Sequence, residues 1–212
     1  MSGFYEKYYE IASAKILQGL AARGMDGHYC ATAEEAAGKA LSLIPAGASV
    51  GWGGSQTILE LGITERVHAG DYTVYDRDTA KDFMERDAIQ RQALQADYFL
   101  MSTNAITMDG KLVNLDGMGN RLAAMIYGAR NVIVVAGMNK VAPDEESAVK
   151  RVRHHAAVIN NVRYKTTSPC MTDGVCHDCL SDTCLCGQLV ITRLCKVKGR
   201  IKVVLFGGSA GF

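Results

Sequence analysis

Between Pro169 and Gly187 the chain reads PCMTDGVCHDCLSDTCLCG, which gathers Cys170, Cys176, Cys179, Cys184 and Cys186, while Cys30 and Cys195 lie far away in sequence or in a strand pattern. Thiolates are soft ligands, and four of them satisfy either tetrahedral zinc or an iron–sulfur cluster. The Cys176 and Cys179 pair, with two residues between, can grip one ion on a tight loop. All five are candidate metal ligands, one more than a four-ligand site needs. Neither the repeated C-x-x-C units of ferredoxins nor the doubled pair of a zinc ribbon is present, so the pattern leaves iron–sulfur, zinc and unligated or redox-active thiols open. His177 reads as an exposed loop histidine, and Cys30 and Cys195 as thiols outside the cluster.

Three other stretches carry side chains suited to chemistry. VGWGGSQT places Gly53, Gly54 and Ser55 between a predicted strand and a predicted helix, where free backbone N–H groups and the helix dipole attract anions. Glu60, a turn further on, is a candidate base or nucleophile, against the alternative of a solvated helix acid. STNAITMDGKLVN supplies Asn104 and Asp109 just past a buried strand, the place where α/β folds put catalytic groups. Asp109 is the first candidate for acid–base work; the competing reading is a type I′ hairpin in which Asp-Gly serves geometry alone. DGMGNRLAAMIYG opens a helix with Gly119, Asn120 and Arg121, and the Arg fork suits a carboxylate or phosphate as well as it suits a neighbouring acid. The third glycine of a dinucleotide fingerprint is replaced by Leu122, and no ribose-binding acid follows at the usual distance, so an NAD site is not expected.

These groups need a scaffold, and the chain supplies one by alternation. Strand-like runs (SVGWGG, YTVYD, DYFLMST, NVIVVAG, RIKVVLFGG) alternate with helical ones (Tyr5 to Ala22, TAEEAAGKALSLI, TAKDFMERDAIQRQALQA, and the long APDEESAVKRVRHHAAVINNVRYK). The pattern predicts a layered α/β fold with a largely parallel sheet. Thr32 followed by Glu35 has the order of a capping box. With 212 residues, 48% hydrophobic, and no linker or repeat, a single domain spanning 1–212 is expected, with 169–187 as a cysteine-rich insertion. A net charge of +1 with dispersed basic residues gives no support to a nucleic-acid partner, and no apolar run is long enough for a membrane span. The N-terminus lacks signal-peptide order, so a cytoplasmic protein is expected, with small anionic partners and with self-association left open.

GWGGSQTILELG, STNAITMDGKLVNLDGMGNRLAAMIYGARNVIVVAGMNKV and PCMTDGVCHDCLSDTCLCG together resemble the lactate-utilisation (LUD) domain family, in the form with a cysteine-rich segment near the C-terminus. The resemblance implies a Rossmann-like α/β core similar to ribose-phosphate isomerases, glucosamine-phosphate deaminases and CoA transferases. It also implies a component of a bacterial system oxidising L-lactate or a related 2-hydroxy acid, beside iron–sulfur partner subunits. On matching positions, Gly53, Gly54, Ser55, Glu60, Asn104, Asp109, Gly119, Asn120 and Arg121 are expected to share one pocket. The alternative is an isomerase- or transferase-like enzyme on a small phosphorylated or carboxylate substrate, with zinc or no metal at the thiols. A non-catalytic scaffold is a third reading.

Overall fold

A computed structural model describes residues 3–212. Six parallel strands form the central sheet: β1 (Asp26–Cys30), β2 (Ser49–Trp52), β3 (Thr73–Tyr75), β4 (Tyr98–Met101), and two late strands, Asn131–Gly137 and Ile201–Phe206. Between β4 and Asn131–Gly137 come β5 (Ala105–Thr107) and β6 (Leu112–Asp116); numbered in chain order, Asn131–Gly137 is then β7, Val141–Ala142 β8, Gln188–Thr192 β9 and Ile201–Phe206 β10. The central order is β1-β10-β7-β4-β2-β3. A second, four-stranded sheet runs β8-β5-β6-β9.

The strands of the central sheet are apolar on both faces, as a parallel sheet sandwiched by helices requires. Along β7, Val132, Val134 and Ala136 belong to one core cluster, while Ile133 and Val135 belong to another on the opposite face. The first cluster is closed by helix α1 (Gly3–Ala22) through Ala12, Ile16 and Leu20, and by Leu122 and Met125 of the helix after β6. The second is closed by α2 (Ala33–Ser42), α3 (Gln56–Glu60) and α4 (Ile63–His68) through Ala36, Ala37, Ala40, Ile58, Ile63 and Val67. The capping box is present: Thr32 accepts from the Glu35 backbone, and the Glu35 carboxylate accepts from the Thr32 backbone. Helix α5 (Phe83–Ala93) is shorter than its pattern because Asp82 caps it three residues after a tight turn at Arg77–Thr79.

Helix α6 (Asn120–Ala123) runs into one wide π turn, Ala124–Gly128. The long helix exists as α7 (Glu145–Arg151), a second π turn at Val152–Ala156, and α8 (Ala157–Tyr164). Its inward face carries Val152, Ala156 and Val158, as expected, with Ile159 only half-buried. No described helix is long and apolar enough to cross a membrane.

The hairpin between β5 and β6 differs from the type I′ expectation. Among the described non-glycine residues only Lys165 and Asp178 have positive φ, so Asp109 does not, and in this loop Gly110 alone, at φ +85°, takes the left-handed position. With Gly110 N–H donating to Thr107 O at 2.9 Å, this is a three-residue loop closed by one left-handed glycine.

The back of this hairpin presses on α1. A Cβ added to Gly19 would lie 2.3 Å from the Asp109 carbonyl oxygen, so helix and turn touch backbone to backbone. Ordinarily Gly→Ala inside a helix stabilises by up to ~1 kcal/mol. Here Gly19→Ala is expected to destabilise by about 1–3 kcal/mol, because neither backbone can yield cheaply. A denaturant midpoint equal to or above that of the parent chain would refute this packing.

Candidate functional site

The carboxyl ends of β7, β4 and β2, three neighbours in the central sheet, open into a common polar cleft. Such edges are where open α/β sheets receive ligands, because the loops diverge there and leave backbone and side-chain donors exposed to a crevice. Beyond β2 comes Gly53-Gly54-Ser55, with Ser55 capping α3 by accepting from Ile58 N–H. Beyond β4 come Ser102, Thr103 and Asn104, and beyond β7 comes Lys140. An inner cavity of ≈ 80 Å³ is lined by Gly54, Ser55, Thr57, Ser102, Asn104 and Lys140, among others. A wider outer cleft of ≈ 320 Å³ adjoins it, sharing Gly54, Asp116, Gly117, Arg121 and Asn160.

Lys140 is the chemically distinctive group of the inner cavity. It is 2% exposed, and its Nζ donates to Thr57 Oγ1 at 2.8 Å and Ser102 Oγ at 3.0 Å, with no carboxylate in ion-pair range. Burial first, then the charges of Arg151 and Arg121, push its amine down to about 7, with Glu60 acting in the opposite sense. Arg151 itself donates to the carbonyl oxygens of Asn104 and Asn139 and has no acid partner among the described residues. The buried Lys140, with the half-buried Arg151 adding positive charge from outside the lining, has so little counter-charge that the inner cavity favours an anion. Sequence reasoning did not single out Lys140, in GMNKVAP. The available signal was its place just past the most continuously apolar strand.

Arg121 lies at the junction of both cavities, but its fork is already occupied. Nε and Nη2 donate to Asp116 Oδ1 at 2.8 and 2.6 Å, Nη1 to Ser102 O and Asn114 Oδ1, and Nη2 also to Asn104 Oδ1 and Leu115 O. It therefore positions the cleft walls and leaves no free donor for a ligand. Asn104 is likewise structural, since its Oδ1 accepts from Leu115 N–H as well. Gly53 lies under the Arg121 side chain, and Gly119, at φ +84°, starts α6. Asn120 lines the outer cleft.

Two expected members stand apart. The Glu60 carboxylate is exposed at the rim, where it accepts from Gly211 N–H at 2.8 Å and fixes the segment that brings Phe212 to the cavity. Asp109 is not brought to the cavity at all. It sits on the hairpin against α1, where Arg23 donates to its side chain at 2.6 Å and to its carbonyl at 2.8 Å. Partial burial alone would raise its pKa, but the Thr107 hydrogen bond and the charges of Arg23 and Lys111 prevail and hold its carboxyl below the usual range. An acid kept ionised by two cations on a half-exposed turn is a packing device.

The five thiols converge. Cys170, Cys176, Cys179, Cys184 and Cys186 all line one small cavity of ≈ 20 Å³ beside His177 and Arg153, and all are free. Burial, then the adjacent Cys184, push the Cys186 thiol up to about 11. Among the described residues no three ligating side chains already stand at ion-binding distances. The donor set nonetheless fits a thiophilic ion or cluster, in the manner of sites whose ligands close only on binding. Leu185, between two of these cysteines, lines the outer cleft, so the thiol cavity and the cleft are neighbours.

This arrangement has relatives. A match to the LUD domain covers residues 14–206. The chain belongs to the LUD domain family. A DUF162 family protein from Deinococcus radiodurans shares this fold at 14% identity and a TM-score of 0.51, over 93% of the LUD chain and 97% of its own. Partial likenesses include ribose 5 phosphate isomerase A from Neisseria gonorrhoeae, at 12% identity and TM-score 0.35 over 52% of this chain and 53% of that one. Another is eIF2B beta from Chaetomium thermophilum, at 16% and 0.38 over 54% and 44%. No curated protein sequence matches the chain.

Two outcomes follow from this geometry. Arg121→Met should cost about 3–5 kcal/mol in denaturant unfolding, since it strands Asp116 and two Asn oxygens; a loss under about 1 kcal/mol would show that the clamp is dispensable. For Lys140, the folded amine titrates near 7 and the unfolded one near 10.5. The folded state therefore binds fewer protons between those values, and its burial penalty is full below pH 7 and fades as pH rises toward 10.5. Lys140→Met should accordingly raise the Tm, and by more at about pH 6 than at about pH 9.5. An equal gain at both would mean the amine is not desolvated.

Proposed function

We propose that this LUD chain, a protein of the lactate-utilisation type, binds a small 2-hydroxy acid or its 2-oxo product in the inner cavity, as a component of an iron–sulfur-linked oxidising system. The observation that carries the reading is Lys140: a nine-tenths buried amine, bonded only to two hydroxyls and flanked by Arg151, at the mouth of a cavity of a size for a few heavy atoms. The carboxylate is drawn by the combined positive potential of Lys140 and Arg151. The hydroxyls of Ser102 and Thr57 orient the substrate oxygen, and an amine that titrates near neutrality can give or take its proton.

A cluster on the five thiols would supply one-electron transfer when bound. What supports that role is position, since the thiol cavity abuts the cleft through Leu185 and Gly117. The second reading, an isomerase- or transferase-like enzyme with zinc or nothing at the thiols, draws on the same Lys140, because acid–base chemistry needs no electron carrier. The partner subunits belong to the first reading only.

Calorimetric titration with L-lactate and with pyruvate tests the binding step. Affinity should fall as pH rises through about 7, as the ammonium is lost, and should vanish in Lys140→Met. Binding that is indifferent to both would remove the inner-cavity reading. Purification without oxygen, with iron, sulfide and zinc measured per chain, separates the two systems. Iron and sulfide with brown absorbance support the oxidising component, and zinc or no metal supports the isomerase or transferase.

A further inference from the structure

The arginines of this protein divide sharply by how their donors are used. Arg121 spends its whole fork on six hydrogen bonds to five acceptors, and Arg200 makes four hydrogen bonds to the carbonyl oxygens of Ala124, Met125 and Ala129. Each is a structural clamp. Arg77 is buried as deeply, with its side chain 10% exposed, yet it makes a single hydrogen bond, from Nη2 to Tyr164 Oη at a long 3.4 Å. Its Nε is buried with no hydrogen-bond partner. A guanidinium desolvated with one long hydrogen bond and one loose ion pair is costly.

Its surroundings show what the cost is for. Arg77 lines the outer cleft with Arg86, Gln90, Asn120 and Tyr164. The nearby acids leave it largely uncompensated. Asp116 is engaged by Arg121, Asp87 is held by Arg91 at 2.7 Å, and the half-exposed Asp78 is divided between Arg86 at 3.3 Å and Arg77 at 3.6 Å. Arg163 adds charge, lying 5.1 Å above the Tyr164 ring while donating to Gly54 O. The absence of a side chain at Gly54 is what admits this fork, for a Cβ there would lie 2.2 Å from Arg77 Nη2 and 2.9 Å from Tyr164 Oη.

We propose that Arg77, with Tyr164 and Arg86, forms a second anion subsite that takes the phosphoryl group of a ligand whose acid end lies in the inner cavity. The placement of that acid end rests on the reading of Lys140 given above; the subsite itself does not. Convergent donors from a planar fork, a phenol and two amides suit a tetrahedral dianion with several acceptor oxygens better than a flat carboxylate with two. The two cavities share Gly54 and Asn160 as common walls, so one molecule can occupy both. The chemical class is therefore a phosphorylated hydroxy acid longer than lactate.

Titration calorimetry with glycerate and gluconate, each with and without a terminal phosphate, tests this on the intact chain. The phosphorylated acid of at least one pair should bind about tenfold more tightly or better, and Arg77→Gln should erase that advantage while leaving the unphosphorylated acids unchanged. Equal affinities within both pairs, or an advantage that survives Arg77→Gln, would overturn the subsite. Should Arg77→Gln fail to fold, competition in the parent chain decides. Inorganic phosphate must displace the phosphorylated acid's phosphate end yet leave glycerate binding untouched, and displacement of both alike means there is one site only. Phosphate binding that depends on Arg77 while Lys140→Met leaves glycerate unaffected would support the subsite and bring down the inner-cavity reading alone.

Discussion

The Arg121 to Asp116 ion pair is the constraint on which the functional end of the molecule depends. Asp116 ends β6 in the second sheet, and its other oxygen accepts from Leu122 N–H to start α6. Through the same guanidinium, Ser102 at the end of β4, Asn104 in the linker to β5, and Asn114 and Leu115 of β6 are drawn to one point. One side chain thus sets the small sheet against the carboxyl edge of the large one. Both partners are nearly buried, so the attraction acts with little screening, and every acceptor it gathers would otherwise be a desolvated orphan. The cleft exists because this knot holds its walls apart at a fixed spacing.

Against that saturated centre stand groups the fold leaves under-satisfied. Lys140 and Arg151 are cations carried into low-dielectric surroundings with hydroxyls or carbonyls in place of carboxylates, and Arg77 has a distant phenol and only a loose share of Asp78. Each subtracts from stability, and the apolar sheet beneath them, in which β7 and β10 are buried on both faces, supplies the surplus that tolerates it. The contrast is local and chemical: saturated charge builds the frame, and the under-satisfied Lys140 and Arg77 line the cavities.

Much of the frame was legible in the sequence because it rests on short-range rules. Alternation of apolar runs with amphipathic ones gave the layered α/β class, and Thr32 with Glu35 marked a helix start that the structure reproduces. Gly54, Ser55 and Asn104 do lie at the strand ends that open into the cleft, as the strand-turn-helix pattern of a parallel sheet led one to expect of their position. Strand β1 was not legible: Asp26–Cys30 (DGHYC) is polar and unpatterned, and becomes a strand only because β10 offers it a partner edge far along the chain. The hairpin of the second sheet was legible, but its pairing with β9 was not, since that pairing spans the whole cysteine segment. Asp109 was misplaced because Asp-Gly after a buried strand has the same sequence signature whether its loop turns toward the cleft or back onto α1, and the choice is made by Gly19 and Arg23, distant in sequence. Lys140 and Arg77 escaped notice because burial of a charged side chain is a tertiary fact that no local spacing encodes.

The cysteine segment is tied to the cleft by backbone contact, which bears on any function assigned to either. Gly117, in the wall shared by both cavities, lies so close to Leu185 that an added Cβ would stand 3.3 Å from the Leu185 Cα, and an added Cβ on Gly187 would stand 3.0 Å from the Gly117 carbonyl oxygen. Leu185 has a candidate thiol ligand on each side of it. The segment then enters β9 at Gln188, which pairs with Asp116 itself. A rearrangement that draws Cys184 and Cys186 together must therefore shift Leu185 against Gly117, at the residue next to the Arg121 to Asp116 knot. The thiol loop and the cleft are in direct backbone contact at Gly117.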